Sequence, residues 1–286
     1  MITGYLFAIL TGLFFGLQGA YGKWIANKFP AAFLTWASFA FAVPIVSVLL
    51  FVKGIPQVSW FDFTWATSVS FILNVVAWNL FFRALSVSPL YLTMPFTALT
   101  PLFLIPIAYL ILGELPGFKE LTGILLIIGG AYAMHLQSGN LLQPIIKIFS
   151  EKGTRYMLVV ALIWSVTATV DKVAILNSSP QFYAVIIYFL LAGAYFPYIY
   201  FRHRHHLSSI PTHLKTLVVL GTLSGGVVIV QFLALQSLEV SYVIAFKRAG
   251  VIVSVLLGYF FFAEKKIAKN LLSTVSIVAG IILILL

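Results

Sequence analysis

The sequence predicts an all-α polytopic membrane protein with ten transmembrane helices in two inverted five-helix repeats. Three observations carry this prediction. The chain of 286 residues is 62% hydrophobic and 8% charged, whereas a soluble domain needs roughly 25% charged residues to cover its surface. It contains ten long apolar stretches, and its second half repeats the pattern of the first. Lipid is therefore the expected solvent for most of the chain.

Each apolar stretch is long enough to cross the hydrocarbon core, which takes about 20 helical residues. The stretches do not alternate between polar and apolar residues, so they are helices rather than barrel strands. The joints between them are too short for a soluble nucleotide-binding domain, and no Gly-x4-Gly-Lys-Ser/Thr motif is present to bind ATP. The predicted spans are 4–26, 31–52, 63–84, 90–112, 119–137, 155–174, 181–202, 214–236, 240–262 and 267–286.

The two halves align at an offset of 150 residues. The segment 27–30 corresponds to 177–180, and 81–136 matches 231–286 without a gap. Because five crossings are an odd number, the second copy enters the membrane upside down relative to the first, which is the architecture of alternating-access carriers. The predicted organisation is a first repeat over 1–138, a connecting loop over 139–153 and a second repeat over 154–286.

Composition excludes several classes of site. The chain has no cysteine, so disulfides and thiolate metal sites are absent. The net charge of +10 lies at span ends and in short loops, where it suits lipid headgroups and not nucleic acid. The basic run 202–206 lacks zinc-site spacing and is interpreted as a headgroup-level patch. Neither a cofactor nor a metal ion is expected.

Lys247 and Arg248 are the sharpest local signal. They lie about seven residues, or roughly 10 Å, into the ninth predicted span, where an unpaired cation costs about 2.5–3.5 kcal/mol. Either their side chains snorkel to the headgroups, or they face a water-filled cavity, an acid or an anionic ligand. Gly250, Ser254 and Gly258 share a helix face with Lys247, and small residues line helix contacts in lipid, which favours the cavity for Lys247. Arg248, turned about 100° away, could instead face a neighbouring helix.

Other polar residues recur at equivalent places in the two repeats. Lys23 and Lys172 each end a stripe of small residues, and they are either interface anchors or cations at the mouth of a central cavity. Asn79 and Gln231, on the third and eighth spans, either bond neighbouring helices or contact substrate.

Acidic residues are few. Glu114 and Glu264 are equivalent residues that each precede a helix, where a carboxylate can meet exposed N–H groups; a structural role is expected. Asp171 is the one carboxylate with a possible mid-membrane position. A proton-coupled pump usually needs a buried acid, so exchange or facilitated movement is favoured.

The fourth span contains Pro95, Pro101 and Pro106. Each proline removes a backbone donor and disturbs the preceding turn. The three are therefore expected to bend this span, either as a fixed kink or as a hinge in the cavity wall.

Two passages carry a resemblance to a known family. Ala84-Leu85 through Leu112-Gly-Glu114 and Ala234-Leu235 through Phe262-Ala-Glu264 resemble the EamA type of the drug/metabolite transporter superfamily. The resemblance implies a central cavity surrounded by four helices of each repeat, with spans 5 and 10 outside it. The run from Lys247 to Ser254 is similar to plastid phosphate-exchanging translocators, in which such a Lys-Arg pair holds phosphate. That similarity implies an anion-binding role for Lys247 and Arg248.

The expected function is alternating-access transport of a small polar, anionic metabolite, with Lys247, Arg248, Lys23, Lys172, Asn79 and Gln231 as substrate-binding residues. Export of amino acids or amphipathic drugs, a non-transporting membrane assembly role, and a lipid-modifying enzyme are the alternatives; no convergent catalytic set supports the last. The expected location is a prokaryotic inner membrane, with a homodimer as one option. The loop charges place both termini outside the cytoplasm, whereas the resemblance implies cytoplasmic termini.

Overall fold

A computed structural model describes residues 2–133, 151–262 and 271–286. Within these ranges the chain forms helices and connecting turns, and no strand occurs. In chain order the helices are α1 Ile2–Ile25, α2 Ala31–Ala40, α3 Val43–Lys53, α4 Trp60–Val87, α5 Leu90–Thr93, a 3-10 segment Met94–Leu99, α6 Thr100–Leu112, α7 Phe118–Ala133, α8 Lys152–Leu176, α9 Pro180–Arg202, α10 Arg204–Ser208, α11 Ile210–Leu235, α12 Val240–Ala249, α13 Val251–Phe262 and α14 Leu271–Leu285.

Seven helical segments of the described chain are long and apolar enough to cross a membrane. Two shorter apolar helices, Phe96–Leu112 and Val275–Leu285, lie where the fourth and tenth spans were predicted. The end of the fifth predicted span and the start of the tenth lie outside the described residues. The seven long segments are Ile2–Ile25, Ala31–Lys53, Trp60–Val87, Lys152–Leu176, Pro180–Arg202, Ile210–Leu235 and Val240–Phe261.

The fourth predicted span is divided into three pieces. A short α-helical turn, α5, leads into the 3-10 segment, and α6 follows. Pro95 stands near the start of the 3-10 segment, Pro101 near the start of α6, and Pro106 inside α6. Because proline lacks an N–H donor, a tighter helix with fewer α-type bonds is the expected local result. The 3-10 segment contacts α7, α8, α12 and α13, so it lies inside the bundle.

The two halves of the chain pack into each other reciprocally. The first helix of the first half, α1, lies along α11 in the second half, and α8 lies along α4 in the first half. Likewise α2 and α3 contact α9, while α7 contacts α14. The repeat relates α2 and α3 to α9, and α7 to α14, so these contacts join equivalent elements. It also relates α1 to α8 and α11 to α4, so the α1–α11 and α8–α4 contacts are equivalent to each other. The core therefore belongs to both halves together.

The small-residue stripes noted in the sequence are helix contacts. The backbones of α1 and of the α12–α13 junction approach so closely that a Cβ atom at Gly250 would overlap the carbonyl oxygen of Gly12. One turn further, the Oγ of Ser254 donates a hydrogen bond of 2.9 Å to the carbonyl oxygen of Gly16. Close contact of this kind fixes the end of α12, and with it the two cations in its last turn.

Candidate functional site

A small polar cavity lies between α4, α8, α9, α11 and α12, deep in the bundle. Its volume is about 50 Å³, which holds a few water molecules. Its wall combines charged and amide side chains with aromatic rings. The polar residues that line it include Asn74, Thr167, Asp171, Gln231, Lys247 and Arg248; the aromatic ones are Trp78, Trp164, Tyr188 and Phe232.

Lys247 enters this cavity from the last turn of α12 and is 7% exposed. Its Nζ donates a hydrogen bond of 2.6 Å to the Oε1 of Gln231 on α11. The same Nζ lies 5.1 Å from the ring centre of Phe15 and 5.5 Å from that of Trp164. Aromatic faces attract a cation, and the carbonyl end of a helix does the same. These contacts offset part of the cost of burying a charged lysine beside the cation of Arg248.

Arg248 is more deeply buried, with 1% of its surface exposed. Its guanidinium carbon lies 5.1 Å from the ring centre of Phe15 and 4.9 Å from that of Trp164. Two of its nitrogens, Nε and Nη1, have no hydrogen-bond partner among the described residues. A buried donor without a partner costs about 1–3 kcal/mol, and more when it is charged. Two donors of this buried guanidinium therefore face no acceptor among the described residues.

The snorkelling interpretation of the Lys-Arg pair is wrong, since both side chains are buried and line the cavity. Arg248, for which contact with a neighbouring helix was the other interpretation, packs on two neighbouring helices and also lines the cavity. Both cations lie against Phe15 of α1 and Trp164 of α8. Adjacent residues on a helix point about 100° apart, but the lysine and arginine side chains are long enough to reach the same two rings.

Asp171 was not among the site residues predicted from the sequence. It is 8% exposed and lines the cavity from α8. Its Oδ1 accepts hydrogen bonds of 2.5 Å from Ser70 on α4 and 2.5 Å from Tyr183 on α9. Ser70 accepts in turn from the Nδ2 of Asn74 at 3.0 Å. A signal was present in the sequence, because Trp164, Thr167, Ala168 and Asp171 share one face of a helix, and all four line the cavity.

The other two predicted lysines hold helix ends and are not among the cavity-lining residues. Lys23 donates hydrogen bonds of 2.9 Å to each of the carbonyl oxygens of Leu85 and Ser88, at the end of α4. Lys172 donates one of 2.7 Å to the carbonyl oxygen of Leu238, which follows α11, and forms an ion pair with Glu114. Cations are favoured at helix C-termini, where carbonyl groups lack partners. Because Lys172 follows Asp171, its side chain leaves the helix about 100° away from the cavity face.

Of the two predicted acids, Glu114 lies beside a helix N-terminus, although not the one that follows it in sequence. Its Oε2 accepts a hydrogen bond of 2.9 Å from the backbone N–H of Val240, where α12 begins. Its equivalent, Glu264, lies outside the described residues.

The two predicted amides differ in position. Gln231 faces the cavity and holds Lys247. Asn79 is half-buried and is not a lining residue, whereas Asn74 on the same helix is one. Five residues of α-helix turn a side chain by about 140°, which separates the two faces.

The histidine-rich run lies at one end of the bundle, around α10. The ring of His206 packs against those of Phe29 and Phe33, with centroids 5.7 and 5.4 Å away. Burial, followed by the neighbouring His205 and His203, lowers the pKa of His206 from its usual 6.5. Within the described ranges, no cluster of three or more His, Asp or Glu side chains is arranged to hold a metal ion.

Comparisons with known proteins fit this architecture. A family model described as the EamA-like transporter family matches the chain twice, over residues 2–136 and 152–286. A solved structure, titled only as the crystal structure of a protein, superposes with a TM-score of 0.68 at 15% sequence identity. The superposition covers 98% of this chain and 96% of that one, and it shows a shared fold. Among curated proteins, no sequence matches significantly.

Proposed function

The chain belongs to the EamA-like transporter family, and from this premise we propose that it carries a small anionic metabolite through the cavity that contains Lys247 and Arg248. The family consists of membrane transporters of the drug/metabolite type, not of enzymes. The chain is accordingly an integral multi-pass membrane protein. The anionic cargo, the route through this cavity and a prokaryotic inner-membrane location are the proposal.

One observation carries the anionic cargo: the buried guanidinium of Arg248, with Nε and Nη1 unpaired among the described residues. A carboxylate or phosphate oxygen supplies what this group lacks, because charge-assisted hydrogen bonds to arginine are among the strongest in proteins. Lys247 adds a second positive charge, and its partner Gln231 is neutral. It can therefore turn toward an anion without leaving a buried carboxylate unpaired.

The transport cycle requires the cavity to widen. A space of about 50 Å³ admits an acid group together with a few water molecules, but not a whole metabolite. We therefore propose alternating access, in which helices around the cavity separate first toward one side of the membrane and then toward the other. The 3-10 segment Met94–Leu99, with Pro95 and the following Pro101 and Pro106, is the proposed bending point, since its backbone is already irregular.

The full architecture in this proposal is ten crossings in two inverted repeats. Contacts between loops support it. Loops that follow an even-numbered predicted span contact one another. After the second and sixth spans, the backbone N–H of Ser59 donates to the carbonyl oxygen of Asn177 at 3.0 Å. Lys172, at the end of the sixth span, contacts both Glu114 after the fourth span and Leu238 after the eighth. Loops after an odd number of crossings also contact one another, as when Phe29 packs against His206 and His213. This sorting is expected if the two loop sets lie on opposite sides of the bilayer.

Reconstitution into liposomes tests the proposal. Liposomes that contain the purified protein are loaded with one of a panel of small carboxylates and phosphate esters. Counterflow of the same radiolabelled anion is then measured. Arg248→Gln and Lys247→Gln are each expected to reduce uptake at least about tenfold, because each removes a buried charge-assisted contact. Arg248→Lys, which keeps the charge and loses the fork, is the matched variant. Survival of uptake of every anion in both Gln variants would show that the electrostatic role is wrong.

Amino acid export is the second candidate, and Asp171 is the observation that favours it. A carboxylate in the same cavity as two cations can accept an ammonium group while Arg248 holds the acid. The counterflow panel therefore includes neutral amino acids beside the anions. Preference for a zwitterion over every anion of similar size would favour this second function.

A further inference from the structure

The cavity contains a third charged group that anion binding alone does not require. Among the described residues, the charged side chains that line it are Asp171, Lys247 and Arg248, two cations and one carboxylate. In their ionised forms they sum to one positive charge. A site that needed only to attract anions would bind them more strongly without Asp171.

Asp171 is held in place by three helices rather than left free to move. Its Oδ1 accepts from Ser70 on α4 and from Tyr183 on α9, both at 2.5 Å, while the aspartate itself belongs to α8. Hydrogen bonds donated to a carboxylate favour its charged form. No lysine or arginine of the described residues forms an ion pair with it. These hydrogen bonds oppose the effect of burial, which disfavours the charge, and an ionised Asp171 places that charge at a fixed position in the space shared with the cargo.

We propose that Asp171 is a specificity residue that limits the cargo to a single negative charge. The inference rests on the proposed function, since it concerns the charge of the anion that Arg248 and Lys247 bind. A monoanion brings the cavity to neutrality. A dianion leaves one excess negative charge in a region with little water, where charges interact far more strongly than in solution.

The position of Asp171 supports selection by charge more than direct binding of cargo. Both hydrogen bonds that it accepts end on one oxygen and tie it to the cavity wall. Among the described residues that line the cavity, the unpaired buried donors, in contrast, belong to Arg248. In this arrangement the cargo's acid group meets the arginine, and Asp171 acts on it through space. Lys247 is the other charged neighbour, and Tyr183 and Tyr188 are the titratable groups that pack around the aspartate.

The test compares cargoes that differ by one charge and little else. Dicarboxylates of three to six carbons are each paired with their monomethyl esters, and methyl phosphate is paired with methyl sulfate, at pH 8. Counterflow by the wild type is expected to favour the monoanion in these pairs. Asp171→Asn, which keeps the shape and raises the cavity charge to two, is expected to shift the monoanion-to-dianion uptake ratio at least about tenfold toward the dianion.

Three further variants make the result specific. Asp62→Asn removes an acid at the start of α4, about two helical turns before Ser70 and not among the cavity-lining residues, and is expected to leave the ratio unchanged. Asp171→Glu keeps the charge and is expected to keep the preference. Gln231→Glu brings the cavity charge to zero and is expected to reduce monoanion uptake about tenfold, which tests the same inference if Asp171→Asn fails to fold.

The outcomes separate the two claims. Loss of all anion uptake in Arg248→Gln, together with an unchanged ratio in Asp171→Asn, would overturn the charge limit and leave anion transport standing. A wild type that prefers the dianion in every pair, takes up no monoanion, or prefers a zwitterion of similar size would also overturn it. A shifted ratio in Asp171→Asn but not in Asp62→Asn supports it.

Discussion

Lys172, in the second repeat, forms an ion pair with Glu114, 58 residues earlier in the first repeat. The same glutamate accepts the backbone N–H of Val240 at 2.9 Å, and the same lysine donates to the carbonyl oxygen of Leu238 at 2.7 Å. One ion pair therefore ties α8 and the end of α6 to the turn between α11 and α12. That turn leads directly into the helix that carries Lys247 and Arg248.

Breaking this ion pair is expected to destabilise the protein. Lys172→Met leaves the carbonyl oxygen of Leu238 without its donor and Glu114 without its cation, at a cost of about 1–3 kcal/mol. Thermal unfolding in detergent measures the loss. Lys53→Met, at the exposed end of α3, is the control and is expected to change little. If Lys172→Met and Glu114→Gln act through the same pair, the double variant loses less than the sum of the single losses. Strict additivity would contradict the pairing.

The contact between Gly12 and Gly250 leaves no room for a methyl group. Gly250→Ala would place its Cβ against the backbone of α1, where a shift of the whole helix is needed to relieve the overlap. We expect a loss of about 3 kcal/mol, at the upper end for overpacking of a core. Gly193→Ala is the matched control, because a Cβ at that membrane-helix glycine meets nothing within 4 Å. Equal melting temperatures for the two variants would argue against the close approach.

Acid is expected to weaken the packing of His206 on Phe29 and Phe33. Since the pKa of His206 is lowered below its usual 6.5, the unfolded chain binds a proton more readily than the folded one. Stability therefore falls as the pH drops through about 6.5, where the unfolded-state histidine gains its proton. Melting curves between pH 8 and 5.5 measure this slope. His206→Gln should flatten it, and His205→Gln should flatten it in part, because His205 contributes to the lowered pKa of His206.

The inverted arrangement is open to a direct labelling test, because the chain has no cysteine of its own. Lys28→Cys and Ser178→Cys place single thiols at equivalent positions of the two repeats. Ten crossings with inversion predict that an impermeant thiol reagent reaches them from opposite sides of the membrane. Labelling of both from the same side would contradict the inversion. Which of the two reacts from outside also decides between the loop-charge and family expectations for the termini.

The proposed bending point makes a kinetic prediction. Pro101→Ala restores a backbone donor beside the 3-10 segment and should favour a more regular helix. Because Pro101 does not line the cavity, we expect a slower turnover in counterflow with little change in the concentration that half-saturates uptake. A matched change at Pro197, inside α9, controls for loss of a membrane-helix proline. An equal effect at both sites would remove the special role of the fourth span.

Sequence reasoning reached the helical class from composition, the family resemblance from the two passages that carry its motifs, and the cavity-facing position of Lys247 from helix phase, while the direction of Arg248 was left open. It did not place Lys23 and Lys172 on the ends of α4 and α11. Those contacts arise where separate helix ends meet, and the spacing within one helix does not encode them. The same limit applies to Glu114, which reaches the N–H of Val240 instead of the helix that follows it in the chain.

Asp171 shows a different limit. A possible mid-membrane position for Asp171 and its neighbour Lys172 were visible in the sequence, but adjacent residues on a helix point about 100° apart. One faces the cavity and the other faces a helix end, so their charges do not cancel locally. Assigning those directions requires knowing that α4 and α9 bring Ser70 and Tyr183 to the aspartate.

The reciprocal packing of α1 on α11 and of α8 on α4 bears on how such a chain is assembled. Gln18 on α1 donates to Ser224 on α11 at 2.7 Å, and Ser70 on α4 donates to Asp171 on α8. In either half alone, these polar side chains would lack their hydrogen-bond partners from the other half. The first half is therefore expected to reach its final packing only once the second half is present, and two separately translated halves should recover a working carrier only when they are produced together.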